Sequence, residues 1–222
     1  MESVIDSKII DPTTNLDYVY LGLNQDGYRL YKLTLQSNYS AVQYSRANRL
    51  IEDYLQRSFN TPSRPYTNII LFCSNMFVFL PPQSSSLQNI SALIMANTAS
   101  RTNYICYVST LSEHRRHGLG TQLLNEMIKE SRRTVDEVSL HVNTVNTDAI
   151  PLYLKCGFRC DQYLQNYYFG DNTYPTKDAY YMTLKTLNIK NVTEVCKQEN
   201  AVQIPTQEEA NHKQRCPMNN AG

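Results

Sequence analysis

The chain has 222 residues, 25.6 kDa, 41% hydrophobic and 18% charged residues, a formal net charge of +1 and a pI near 7.6. That length holds one domain with tails and a substantial core, and the near-neutral charge excludes a chain built to coat nucleic acid or an anionic membrane. The most apolar run, Asn68 to Leu80, is broken by Ser74 and Asn75 and is too short to cross a bilayer as a helix.

Residues 1–26 carry Glu2, Asp6, Asp11, Asp17 and Asp26 against Lys8 and read as a polar leader with little periodicity. The start lacks the basic and apolar regions of a signal peptide and the glycine needed for myristoylation, so a cytoplasmic location is expected. Gly27 to Thr34 alternates well enough for a first strand. Ala47, Leu50, Ile51, Tyr54 and Leu55 recur at three- and four-residue spacing, which predicts a helix over roughly 38–57. Two strand pieces follow, Ile69 to Cys73 and Met76 to Leu80, and Pro81-Pro82 ends the second. Further strands are predicted at Ile90 to Ala96 and Asn103 to Leu111.

From Leu119 the period changes: Leu119, Leu123, Leu124, Met127 and Ile128 form the stripe of an amphipathic helix beginning near Gly118. Val138, Leu140 and Val142 alternate with Ser139, His141 and Asn143, a strand pattern that sends His141 to the face opposite the aliphatics. Asn146 and Thr147 suit the cap of a short helix ending near Gly157. Phe158 to Phe169 and Ala179 to Leu184 are aromatic-rich strand candidates. The order predicts an α+β or mixed α/β fold in one domain, residues 27–187, with a polar and disordered tail over 188–222. Six cysteines without C-x-x-C spacing are expected as reduced thiols.

The run that carries chemistry is Tyr104-Ile-Cys-Tyr-Val-Ser-Thr-Leu-Ser-Glu-His-Arg-Arg-His-Gly-Leu-Gly-Thr. A strand leads into Arg115-x-x-Gly118-x-Gly120 and at once into a helix, so backbone N–H groups and the helix's positive end converge where a pyrophosphate would sit. Glycine permits the close approach, and Arg115 and Arg116 add charge. On these residues alone an ordinary glycine turn fits equally well. His114 and His117 have H-x-x-H spacing but no third ligand nearby, so no metal is expected.

A second block, Leu140 to Phe158, contains N-x-x-A-x-x-x-Y-x-x-x-G-F as Asn146, Ala149, Tyr153, Gly157 and Phe158. The two blocks together resemble the GNAT superfamily of acetyl-CoA-dependent N-acetyltransferases. Leu140-His141-Val142, Tyr163 to Tyr168 and Lys177-Asp178 narrow the likeness to amino-terminal protein acetyltransferases of the NatF type. The likeness runs from about Asn103 to Leu184.

The resemblance implies the GNAT acyl-CoA fold, a central mixed, twisted sheet flanked by helices, and acetyl-CoA as co-substrate without a metal. It implies that the coenzyme's diphosphate lies on Arg116, His117, Gly118, Leu119, Gly120 and Thr121, and its pantetheine along Val108, Ser109 and Thr110, with Asn146 and Tyr153 at the far arm and thiol. A strand N–H near Val108 would hold the oxyanion. Tyr104 and His141 match the catalytic pair, for which histidine near pH 7 suits removal of a proton from an α-ammonium of pKa about 8. Tyr167 and Tyr168 match tyrosines that close over the substrate.

The implied activity is transfer of acetyl to the α-amine of methionine-starting proteins, with lysine (including histone) acetylation, small-molecule amine acetylation or silent acyl-CoA binding as alternatives. The implied partners are protein N-termini, and histones under the lysine alternative; the resemblance also implies a monomeric chain and a place at the cytosolic face of the Golgi. Two departures stand out. The Phe-Pro substrate turn of these enzymes is not found within Gln36 to Pro65, and the amphipathic pair that anchors the NatF type has no sustained stripe in 187–222.

Overall fold

The computed structural model describes residues 8–10, 17–34, 40–59, 73–168 and 175–186. The predicted strand at Ile69 to Cys73 lies outside them except for Cys73, and the tail from residue 187 lies outside them entirely. The chain falls into two compact units, residues 1–134 and 135–222, a boundary that hydrophobic periodicity did not mark.

In the first unit six strands run in chain order and every pairing is antiparallel: β1 (Lys8–Ile10), β2 (Asp17–Leu23), β3 (Arg29–Thr34), β4 (Asn75–Leu80), β5 (Ala92–Ala99) and β6 (Thr102–Thr110). The polar leader is thereby corrected. β1 and β2 lie within residues 1–26, and Tyr18 is buried on β2 against Tyr31 of β3 in an edge-to-face ring pair, centroids 4.9 Å apart. Acidic residues counted over the whole segment hide the alternation of Tyr18 and Tyr20 with their neighbours; cross-strand aromatic pairs of this kind stabilise a sheet.

Helix α1 (Ala41–Phe59) buries Ala47, Leu50, Ile51, Tyr54 and Leu55, the predicted stripe. It starts on a capping box: Gln43 N–H donates to Ser40 Oγ at 3.3 Å, and Ser40 N–H donates to Gln43 Oε1 at 2.9 Å. The stripe packs with Tyr31, Leu33, Met76, Val78, Leu80, Leu93 and Met95 in one core. Phe77, Phe79 and Ile94 alternate with these and are buried on the other side of the strands. Helix α2 (Leu119–Ser131) lies against β4, β5 and β6 and buries Leu119, Leu123, Leu124, Met127 and Ile128. Inside that layer Asn103 Nδ2 donates to Ser131 Oγ at 2.8 Å, and Ser131 Oγ donates to the Met127 carbonyl at 2.6 Å.

In the second unit β7 (Glu137–Asn143), β9 (Ala179–Lys185) and β8 (Arg159–Leu164) lie in that order, both pairings antiparallel, with α3 (Ala149–Lys155) after β7. Pro151 is the third residue of α3, within its first turn, where proline is tolerated. Gly157 closes α3 at φ 91°. Phe158 N–H reaches the Tyr153 carbonyl at 3.1 Å and Gly157 N–H the Leu154 carbonyl at 3.0 Å, the left-handed ending that glycine adopts without a Cβ penalty. Among the described residues no helix is long and apolar enough to cross a membrane.

Candidate functional site

The loop between β6 and α2 belongs to the first unit. After β6 a short turn over Ser112–His114 leads to Arg116 and Gly118, both in the left-handed region at φ 71° and 70°. A Cβ on Gly118 would meet Gln122 Nε2 at an ordinary 3.6 Å, so backbone conformation, and not space, calls for glycine there. The first helical bond of α2 runs from Gln122 N–H to the Gly118 carbonyl, 3.1 Å. The N–H groups of Leu119, Gly120 and Thr121 therefore precede the ladder and carry the helix's positive end. Arg115 and Arg116 are exposed beside them. A diphosphate fits this donor set. The predicted residues do not contribute alike: the Leu119 side chain is buried in the core, leaving only its N–H, and the His117 imidazole is engaged by Asp26 at 2.9 Å.

The predicted pantetheine residues end β6 in register with β5, Val108 opposite Ile94, Ser109 opposite Leu93 and Thr110 opposite Ala92. Tyr54 of α1 takes both polar groups of Ser109. Its hydroxyl donates to the Ser109 carbonyl at 3.0 Å, and Ser109 Oγ donates back to it at 3.0 Å. Burial pushes that phenol up to about 12, so Tyr54 stays a neutral donor. The role of Tyr54 was hidden in sequence because it sits squarely in the core stripe. Tyr104 is half-buried on β6 opposite Asn97, and its carbonyl accepts from the Cys106 thiol at 3.6 Å.

The other group of predicted residues belongs to the second unit. Val138, Leu140 and Val142 of β7 are buried, and His141 between them is half-buried on the opposite face. Its imidazole stacks on Tyr167, ring centroids 4.1 Å apart and 13° from parallel, and faces Tyr181 of β9 at 4.9 Å. Tyr181 is the residue directly opposite His141 in the register. Desolvation lowers the His141 pKa from 6.5 to about 4, which corrects the expectation of a histidine titrating near neutrality: an imidazolium here would lose hydration to the rings around it. At pH 7 His141 is a neutral imidazole.

Tyr167 and Tyr168 stand on a turn and not on a strand, which corrects the predicted strand over Phe158 to Phe169. β8 stops at Leu164 because Asn166 turns left-handed at φ 54° and its N–H donates to Asp178 Oδ1 at 2.9 Å. Asp178 Oδ2 accepts from the Tyr163 hydroxyl. Burial works to raise the Asp178 carboxyl, but bonds from Tyr163, Asn166 and Thr176 outweigh it and hold the group below its ordinary value. Tyr168 N–H donates to the Lys177 carbonyl at 2.9 Å, and its ring meets Tyr167 edge-on at 5.0 Å. Asp178 is thus the post on which the tyrosine turn is hung, a role that spacing does not reveal.

Asn146 and Tyr153 have structural work in α3. Asn146 Oδ1 accepts from Ala149 N–H at 3.1 Å, and the Tyr153 ring, 6% exposed, packs on Phe158 at 5.9 Å.

Residues 76–158 match the acetyltransferase (GNAT) family. N-alpha-acetyltransferase 50 of Danio rerio is 39% identical over 67 residues, which are 29% of this chain and 40% of that protein. The chain spans about half or less of the curated relatives it matches, 40% to 52% of their length. Among solved structures, the ribosomal-protein-S18-alanine N-acetyltransferase of Escherichia coli superposes with a TM-score of 0.54 at 21% identity, covering 71% of this chain and 94% of that one. Arabidopsis thaliana Naa50 in complex with bisubstrate analogue CoA-Ac-MVNAL gives 0.53 at 20% identity, covering 70% and 97%. These likenesses establish the α+β GNAT fold.

Proposed function

The chain carries an acetyltransferase domain of the GNAT family, and from that premise we propose that it is an amino-terminal protein acetyltransferase, moving acetyl from acetyl-CoA to the α-amine of methionine-starting proteins. The observation that carries this reading is the neutral, half-buried His141 stacked on a tyrosine turn that Asp178 holds in place. The relatives named N-alpha-acetyltransferase support it, in Danio rerio and in the archaea Sulfurisphaera tokodaii and Sulfolobus acidocaldarius.

Acetyl-CoA supplies an activated thioester carbonyl. The chain's own groups do the rest. The N–H groups of the Arg116 to Thr121 loop and the start of α2 bind the diphosphate, and Arg115 and Arg116 neutralise it. Val108, Ser109 and Thr110 line the pantetheine arm, Asn146 and Tyr153 its far part, and a strand N–H near Val108 receives the oxyanion. Tyr167 and Tyr168 hold the first residues of the peptide.

His141, with Tyr104, takes the proton of the amine. With a pKa of about 4 the imidazole does not strip a ground-state α-ammonium of pKa about 8. The nucleophile is therefore the free-base fraction of the amine. As its nitrogen bonds to the carbonyl carbon its remaining protons become strongly acidic, and a neutral imidazole is then a sufficient acceptor. The carbon–sulfur bond breaks as the intermediate collapses, and CoA leaves as the thiolate that takes up the proton.

The test is acetyl transfer to a panel of short peptides beginning Met-Leu, Met-Lys or Ser, with a lysine peptide whose α-amine is blocked. The reading requires turnover of the methionine peptides with the label on the α-nitrogen by fragment mass. Turnover of the blocked lysine peptide alone would replace it by lysine acetylation.

A further inference from the structure

The turn joining β2 to β3 is folded by one side chain. Asn24 Oδ1 accepts from the N–H groups of Asp26 at 2.9 Å and Tyr28 at 2.8 Å, while Asn24 N–H donates to the Tyr28 carbonyl at 2.9 Å. Gly27 completes the turn at φ 79°. This rigid hairpin reaches the β6–α2 loop at two points. Asp26 Oδ2 pairs with His117 Nδ1 at 2.9 Å, and the Tyr28 hydroxyl hydrogen-bonds His114 Nδ1 at 3.0 Å. The Tyr28 ring also packs against both imidazoles, its centroid 5.7 Å from that of His114 and 5.1 Å from that of His117. The histidines bracket Arg115 and the left-handed Arg116, so the strained stretch of the loop is gripped on both sides.

We infer that Asp26 and Tyr28 are positioning residues for the coenzyme: through His117 and His114 they hold the loop in the conformation that presents its N–H groups and the start of α2 to the diphosphate. The inference rests on the coenzyme reading above. Asp26 is itself an anion beside an anion site, and repulsion would argue the other way. Its carboxylate and His117 are each more than a third exposed, which screens long-range repulsion, whereas the contact at 2.9 Å acts directly on the loop. Orientation outweighs charge here.

The experiment is CoA binding to the full chain by calorimetry for wild type, Asp26→Asn, Tyr28→Phe, His117→Gln and the Asp26→Asn/His117→Gln double variant, with thermal melts alongside. Asp26→Asn and Tyr28→Phe are expected to weaken CoA roughly two- to fivefold, the size of exposed-pair effects, with melting temperatures and peptide kcat unchanged and the loss appearing in acetyl-CoA KM. In the His117→Gln background Asp26→Asn should cost nothing further. Unchanged or tighter CoA binding in both single variants overturns the inference, and so does an Asp26→Asn loss that persists undiminished without His117. A wild-type chain that binds no CoA overturns the coenzyme reading itself and the inference with it; normal wild-type binding with unaltered variants overturns the inference alone.

Discussion

The imidazole of His141 lies flat on the ring of Tyr167, centroids 4.1 Å apart and 13° from parallel. One residue is on a central β7 position and the other on a turn more than twenty residues later, and the contact does two things at once. It fixes the imidazole plane, and it strips water from a group that then resists protonation.

A histidine held neutral leaves no acid limb of its own near pH 6.5. The log of kcat/KM for a methionine peptide is expected to rise with pH up to the α-ammonium pKa of about 8 and to show no second inflexion between pH 5.5 and 7. A pH-rate series in constant ionic strength checks it. Tyr167→Ala, which exposes the ring, should bring an inflexion back toward 6.5, and histidine NMR titration should show the same move.

The same shift acts on stability. The folded pKa of His141 lies below its unfolded value, so between about pH 4 and 6.5 the unfolded chain binds more protons and stability rises with pH. The contribution is full above pH 6.5 and is lost as pH falls through the window toward 4. Melting temperature is expected to drop more steeply from pH 7 to 5 in wild type than in His141→Gln, which has no proton to take up.

Asn103 and Ser131 are 1% and 0% exposed and hydrogen-bond one another between β6 and α2. Asn103→Ala strands the Ser131 hydroxyl's partner site and removes the Thr98 hydroxyl's acceptor at 3.1 Å, so a loss of about 1–3 kcal/mol in urea unfolding is expected. Tyr54→Phe, which removes the phenol that bonds the carbonyl and the hydroxyl of half-buried Ser109, should cost less, about 0.5–1.5 kcal/mol.

Cys73 and Cys106 meet at the edge of the α1 core, where the Cys73 thiol hydrogen-bonds Cys106. That bond holds the proton on Cys73 and raises its pKa, with burial adding to the rise, and it lowers the Cys106 pKa against the opposing effect of burial. Cys106, also the more exposed, is expected to be alkylated several-fold faster by iodoacetamide under native conditions. Peptide mapping after a timed pulse reads the order directly.

How much of this was legible in the sequence follows from the range of each interaction. The stripes of α1 and α2 are local and periodic, and the structure buries those same side chains. Gly157 announces the left-handed end of α3 and has it, whereas Gly118, expected for the close approach of a phosphate, has a left-handed backbone that spacing did not announce. His141's face follows from alternation alone. What alternation does not hold is partnership across the chain. Tyr181 faces His141 through register, Asp178 ends β8 through a bond across twelve residues, and Asp26 finds His117 across ninety-one. The leader hid two strands because their charges sit at the ends and in the connecting stretch, while Tyr18 goes into the core. The depressed His141 pKa depends on rings brought together only by folding.

The central claim is that His141 accepts the proton of an α-amine during acetyl transfer. Release of CoA from acetyl-CoA with a Met-Leu peptide, in wild type and His141→Gln at matched CoA affinity, tests it most directly. The account predicts a fall of about a hundredfold or more in kcat, typical of removing a general base, with CoA binding retained. A His141→Gln enzyme that turns over the methionine peptide at the wild-type rate would contradict it.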